Sequence, residues 1–143
     1  SSMPLVCPIV NVDGIPYLDG GLADSVPVKH VKERGAKKIV LLLTRKKGYR
    51  KEKISKAYIE LYRKMYSKYP ELVKTCILRN KRYNVTMNYI DWLEEKGEIF
   101  VIRPTHKPIH RMEKDVEKLE AFYEHGYETM EQQFDKMMKY LES

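Results

Sequence analysis

Cysteine is scarce in this chain, with only Cys7 and Cys76 among 143 residues. Their separation matches neither a disulfide framework nor a metal-ligand spacing, so reduced thiols in an intracellular protein are the expectation. Long apolar runs are missing as well. Ile39 to Leu43 is the longest, far short of the ~20 residues that a bilayer-crossing helix needs. The opening Ser-Ser-Met-Pro-Leu-Val-Cys-Pro has no basic region followed by a continuous apolar one, and no secretory signal is visible. There is no Cys-x-x-Cys, no P-loop, no nucleotide-binding glycine motif and no Gly-x-Ser-x-Gly, so the chain contains no evident activated nucleophile. Repeats and low-complexity tracts are also absent.

What is present is a globular composition, 43% hydrophobic in 17.0 kDa, enough for one domain or part of one. The charge is uneven. The net value is +7, yet residues 112–143 hold nine acidic and four basic side chains, leaving about +12 on the first 111 residues. Arg45, Lys46, Lys47, Arg50, Lys51, Lys53 and Lys56 form the densest cluster. Such a cluster suits an anionic membrane surface or nucleic acid, or is a solvated face. No nucleic-acid motif accompanies it, and the aromatics fall at core spacing, so no nucleic-acid partner is expected.

Along the chain, residues 9–12 and 15–18 flank Asp13-Gly14, which predicts a type I′ hairpin. Pro16 restricts the second arm to an edge. Asp24 or Ser25 can cap a short helix from about Pro27 to Arg34, stopped by Gly35. Residues 38–44 read as a strand buried on both faces, the mark of a parallel sheet covered by helices. Ile54, Tyr58, Leu61, Tyr62, Met65 and Tyr69 keep helical spacing. A break at Pro70 precedes a helix carrying Leu72, Val73, Cys76 and Ile77. Another is predicted from about Asn84 to Glu95, with Val85, Tyr89, Trp92 and Leu93 in the core, and Gly97 ending it. Residues 98–103 form a short strand. The segment 112–143 predicts a long amphipathic helix whose Met112, Val116, Leu119, Tyr123, Tyr127, Met130, Phe134, Met137 or Met138, and Leu141 face the core, with Gly126 marking a close contact or a bend.

The histidines offer little. His106 and His110 have a ligand-like separation, but Pro104 and Pro108 oppose the helix that would use it, so no metal site and no cofactor is expected. His30 should face solvent, and His125 should lie on the polar side of the last helix. Asp19 differs: it follows a strand and precedes two glycines, Gly20 and Gly21, which would let a substrate or another segment come close. Taken alone, an Asp-Gly-Gly is usually no more than a turn.

The wider context, Tyr17-Leu18-Asp19-Gly20-Gly21-Leu22-Ala23-Asp24-Ser25-Val26-Pro27-Val28, resembles the Asp-Gly-Gly block of the patatin-like phospholipase family. Ser1-Ser2-Met3-Pro4 is similar to the end of the segment preceding that block, and Gly35 to Val40 to the helix-to-strand passage after it. Met112-Glu113-Lys114-Asp115, Lys118-Leu119-Glu120 and Gly126-Tyr127 resemble the C-terminal helix of the bacterial cytosolic branch. Residues 45–97 are the least diagnostic. The resemblance implies an α/β protein, the C-terminal part of a three-layer α/β/α sandwich with a largely parallel sheet and a helix-rich second half. It implies lipid acyl hydrolysis by a Ser–Asp dyad, with Asp19 as the dyad aspartate and Gly20 and Gly21 as the motif glycines. The serine and the oxyanion loop of that family lie N-terminal to the matched region, so residues 1–143 read as the C-terminal portion of a single hydrolase domain, inactive alone.

The implied substrate is a fatty acyl ester or phospholipid, at a cytoplasmic location with peripheral contact to an anionic inner membrane surface. A further expectation is that the missing half or a second copy covers the apolar faces, because Ile39 to Leu43 reads as a central strand. The alternative reading is a non-catalytic basic module that binds anionic lipid or nucleic acid.

Overall fold

The structure, a computed structural model, describes residues 8–110 and 112–143. The Ser1–Pro4 part of the family resemblance and Cys7 lie outside the described residues. The molecule is mixed α/β, and its strands form two small sheets. Strands β1 (Val10–Val12) and β2 (Ile15–Tyr17) pair antiparallel, with Val12 opposite Ile15. Asp13 and Gly14 turn between them at φ 51° and 80°, the two positive values that a type I′ turn demands. The expected hairpin therefore forms, with Pro16 in a strand that has an unpaired edge among the described residues.

After β2 the chain makes a 3-10 turn, Gly20–Leu22, and enters helix α1, Val28–Glu33. Asp24 Oδ1 accepts the Val26 N–H at 3.0 Å just ahead of that helix. Gly35, at φ 87°, ends it by donating its N–H to Lys32 O. Strand β3 (Val40–Leu42) then pairs in parallel with β4 (Phe100–Ile102), with Leu41 opposite Val101. The parallel pairing agrees with the sequence reading, but burial on both faces does not. Ile39 is buried, whereas Leu42 is 71% exposed.

Helix α2, Lys56–Met65, is capped by Ser55, whose Oγ accepts the Tyr58 N–H. Helix α3 runs unbroken from Pro70 to Glu95, where two helices were expected. Residues 71–95 contain neither Gly nor Pro, so nothing interrupts the backbone ladder. Asn84 does not cap a new helix. Its side chain instead bridges the Lys51 N–H and C=O at 2.8 Å each, and Asn80 Nδ2 donates to Glu52 O. Asn80 and Asn84 are hooks for the 51–52 segment. Of the expected α3 core residues Leu93 is fully buried, but Val85 and Trp92 are exposed; Met87 and Ile90 are buried in their stead.

The last helix, α4 (Val116–Glu142), begins at the Asp115 cap, whose Oδ1 accepts the Lys118 N–H. Its expected core stripe is largely exposed, with Tyr123 at 74% and Val116, Tyr127 and Phe134 also exposed. A neighbouring face packs instead. Tyr140 Oη accepts the Ile39 N–H at 3.1 Å and donates to Glu98 O at 2.9 Å, and its ring meets Phe100. A Cβ at Gly126 would meet nothing within 4 Å, so that glycine marks no close contact.

The chain divides into two compact units. One comprises the residues up to His30 together with Arg50–Asn88, and the other comprises Val31–Tyr49 with Tyr89–Ser143. In the first, Leu22, Tyr62, Tyr66, Val73 and Cys76 form the core, with Tyr62 and Tyr66 stacked. In the second, Ile39, Ile90, Leu93, Ile99 and Ile102 are buried. There Arg103, at the end of β4 and 10% exposed, donates to Asp91 Oδ1 at 2.8 Å and Glu94 Oε1 at 2.7 Å. Lys47 approaches the other Glu94 oxygen at 3.3 Å as an ion pair without hydrogen-bond alignment. No helix among the described residues is long and apolar enough to cross a membrane.

Candidate functional site

The hairpin of the first unit delivers Asp19 to the tip of β2, half-buried. There it caps the 3-10 turn, its Oδ1 accepting the Gly21 N–H at 2.7 Å. This bond explains the second glycine: a Cβ on Gly21 would sit 2.9 Å from the same Oδ1, closer than a carbon and a hydrogen-bonded oxygen can stand. Gly20 is under no such constraint, since a Cβ there would meet nothing within 4 Å. The turn is fastened from outside by Arg79 of α3, whose Nε donates to Gly21 O at 3.2 Å. Ser25 Oγ donates to the same carbonyl at 2.8 Å. Asp19, Gly20 and Gly21 thus form one built turn, held by a guanidinium of α3 that lies 58 residues further along the chain.

Beneath it Cys76 is buried, and burial pushes its thiol up from the ordinary value while the nearby Arg79 charge opposes the shift. Tyr62 is raised for the same chief reason. The one described thiol is therefore a packed neutral group, not a nucleophile.

Next to the turn lies a groove of about 610 Å³, between the 22–26 segment and the 78–86 face of α3. Leu22, Val26, Leu78 and Val85 give it apolar walls, while Lys29, Arg79, Lys81 and Arg82 supply cations against one carboxylate, Asp24. Residues 78–83 read in the sequence as a connection between helices, which hid this feature. Once α3 is continuous, Leu78, Arg82, Val85 and Thr86 share one face by the 3.6-residue period, and the alternation of apolar and basic residues on it was the available signal.

Several members of the 45–56 basic cluster are engaged inside their own units. Arg45 lies over the Tyr49 ring, Lys47 pairs with Glu94, Arg50 binds Asn88 Oδ1, and Lys51 lies over Tyr83. Lys46, Lys53 and Lys56 are exposed. The structure corrects the reading of His125. It is buried, its Nε2 accepting the Thr105 N–H at 3.2 Å and the His106 N–H at 3.4 Å. His30 is exposed, as expected. No group of three or more metal-ligating side chains occurs among the described residues.

A family comparison covers the helical half. Residues 69–142 match the family described as "Domain of unknown function (DUF6363)". The chain belongs to this family. The DUF6363 match takes in all of α3, together with β4 and α4, so it contains Arg79 and the α3 wall of the groove but not Asp19. A 35-residue stretch is also 49% identical to "Uncharacterized protein YjjU" of Escherichia coli (strain K12). That match covers 24% of this chain and 10% of the relative, so the chain corresponds to a small part of that protein's length. No solved structure matches the chain.

Proposed function

We propose that this DUF6363 chain is the aspartate-bearing part of a patatin-like serine lipid acyl hydrolase, the C-terminal part of a three-layer α/β/α sandwich. Asp19 is the general base of the dyad, and the serine and oxyanion donors are supplied from outside residues 1–143. The observation that carries this reading is the built Asp-Gly-Gly turn: a half-buried carboxylate at a strand tip, one oxygen fixed by a backbone N–H, beside a glycine whose missing side chain leaves open space.

A serine hydroxyl becomes nucleophilic when a positioned base takes its proton, and such a base contributes roughly 10²–10⁴-fold. A carboxylate exposed to water, with a pKa near ~3.9, is a weak base; exclusion of water on docking of the serine-bearing segment would strengthen it. The bond from Gly21 orients the carboxylate, and Gly20 leaves room for the approaching segment. Fatty acyl esters or phospholipids are the substrates in this reading. The exposed Lys53 and Lys56 of the first unit hold the enzyme on an anionic cytoplasmic membrane surface. Vesicle binding that ignores anionic lipid content would remove the docking role.

The test uses the longer protein that supplies a Gly-x-Ser-x-Gly serine, assayed on p-nitrophenyl acyl esters. Asn at position 19 keeps an acceptor for the Gly21 N–H but cannot take a proton. Asp19→Asn should therefore lower turnover by at least about 10²-fold with an unchanged circular dichroism spectrum and melting temperature. Retained turnover removes Asp19 from the mechanism.

A further inference from the structure

The groove between residues 22–26 and 78–86 has no part in the dyad chemistry, and its residues do not include Asp19. Its volume of about 610 Å³ lies in the range of small-molecule sites, roughly 300–1,000 Å³. Its walls are mostly apolar, yet four cations gather at it. Lys81 and Arg82 are exposed and have no ion-pair partner among the described residues. Arg79 spends its Nε on Gly21 O, which fixes the guanidinium plane and leaves its terminal nitrogens without a hydrogen-bond partner among the described residues. Arg79, Lys81 and Arg82 beside one small cavity are in excess of what the single Asp24 carboxylate, already accepting from Val26, can balance.

From this combination we infer that the groove binds an organic phosphate monoester with an apolar body. The phosphate lies at Arg79, Lys81 and Arg82, and the body lies between Leu22, Leu78 and Val85. Guanidinium forks match phosphate oxygens in pairs, and the dianionic charge of a monoester answers the local cation excess. The apolar walls give the body a place that inorganic phosphate cannot use. The inference is independent of the hydrolase reading, because it requires neither the serine nor turnover.

The experiment is calorimetric titration of the 143-residue chain with 1-naphthyl phosphate, and separately with inorganic phosphate and 1-naphthol. Saturable binding of 1-naphthyl phosphate is expected, at least about tenfold tighter than either part alone, a difference of one decade in Kd. Raising the salt concentration should weaken it. The double substitution Lys81→Glu with Arg82→Glu should weaken it at least about tenfold while leaving 1-naphthol unaffected. Both side chains are solvent-exposed, so the fold should survive; should it not, Lys81→Gln with Arg82→Gln serves the same comparison. Amide shift changes at Gly21, Ser25 and Thr86 in ¹⁵N spectra locate the ligand. Competition by phosphatidic acid vesicles identifies a lipid headgroup as the source of the phosphate, and its absence identifies a soluble ester; either upholds the class. The inference is overturned by no saturable binding of 1-naphthyl phosphate, by equal affinity for inorganic phosphate, or by a folded double variant that binds as tightly as the parent.

Discussion

The two glycines of the Asp19 turn are adjacent in sequence and unlike in physical role. Gly21 donates to Asp19 Oδ1 at 2.7 Å and has no room for a methyl group on that side, while Gly20 borders open space. Gly21→Ala should push the carboxylate away and break the cap, costing about 1 kcal/mol in a urea unfolding series, the usual worth of such a cap. Gly20→Ala should stay within about 0.5 kcal/mol of the parent. Equal effects would show that the carboxylate is not held as described. Cys76 makes a second contrast at this scale. Because burial raises its pKa, little thiolate is present at pH 8, and the residue is only 3% exposed. In a Cys7→Ser background, Ellman's reagent should label Cys76 only at the rate of unfolding. Prompt labelling of the native protein would contradict its burial.

At the scale of elements, what the sequence revealed depended on whether a local rule or a distant neighbour decided the outcome. The Asp13-Gly14 turn, the Gly35 stop and the pairing-competent strands are local, and they form as read. The Asn80 and Asn84 side chains satisfy polar groups of residues 51–52, more than twenty-five positions away, a role that no local rule reveals. Helix α4 carries two apolar-bearing faces about one residue apart, and periodicity cannot choose between them; Tyr140 bonding to Ile39 and Glu98 does. The Asp-Gly-Gly residues were legible, but the Arg79 that fastens them was not. Arg103 was hidden for the same reason, since its partners Asp91 and Glu94 lie on another element. Arg103→Met should destabilise the second unit by about 3–5 kcal/mol, because two largely buried carboxylates lose their shared cation. A chemical-denaturation midpoint unchanged from the parent would refute that role. The α4 cap gives a pH-dependent counterpart. Lys118 and its backbone N–H hold Asp115 below its ordinary pKa, and the backbone N–H groups of Asp115 and Lys114 do the same for Glu113. Depressed carboxylates stabilise the folded state above their unfolded pKa and lose that contribution as pH falls through the folded one. Amide protection at Lys118 and Leu119, the exchange rate relative to its intrinsic value at the same pH, should therefore fall below about pH 4, the ordinary carboxylate range, and Asp115→Ala should bring the same loss at pH 7. Protection that stays constant across that interval would exclude the cap.

For the molecule as a whole, the balance between buried and exposed apolar surface departs from that of a settled monomer. Val10, Val12, Ile15 and Tyr17 expose much of the hairpin, Leu42 exposes the parallel pair, and Val116, Tyr123, Tyr127 and Phe134 line one side of α4. Parallel strands are ordinarily covered on both faces and continued at both edges, whereas β3 and β4 pair only with each other among the described residues. Exposed apolar surfaces of this kind attract a partner or associate with one another. Residues 1–143 alone should accordingly show a weight-average mass that rises with concentration in light scattering. Salt should not dissolve the association, since added salt weakens ion pairs and leaves apolar contacts in place. Tyr123→Lys with Tyr127→Lys places two charges on the exposed side of α4, away from the Tyr140 face, and should lower the associated fraction without lowering the melting temperature. A chain that stays monomeric and melts cooperatively at every concentration would mean that these surfaces are stable in water, and the need for a covering segment would disappear with it. Association that persists unchanged in the double variant would instead assign it to the hairpin and the open strands.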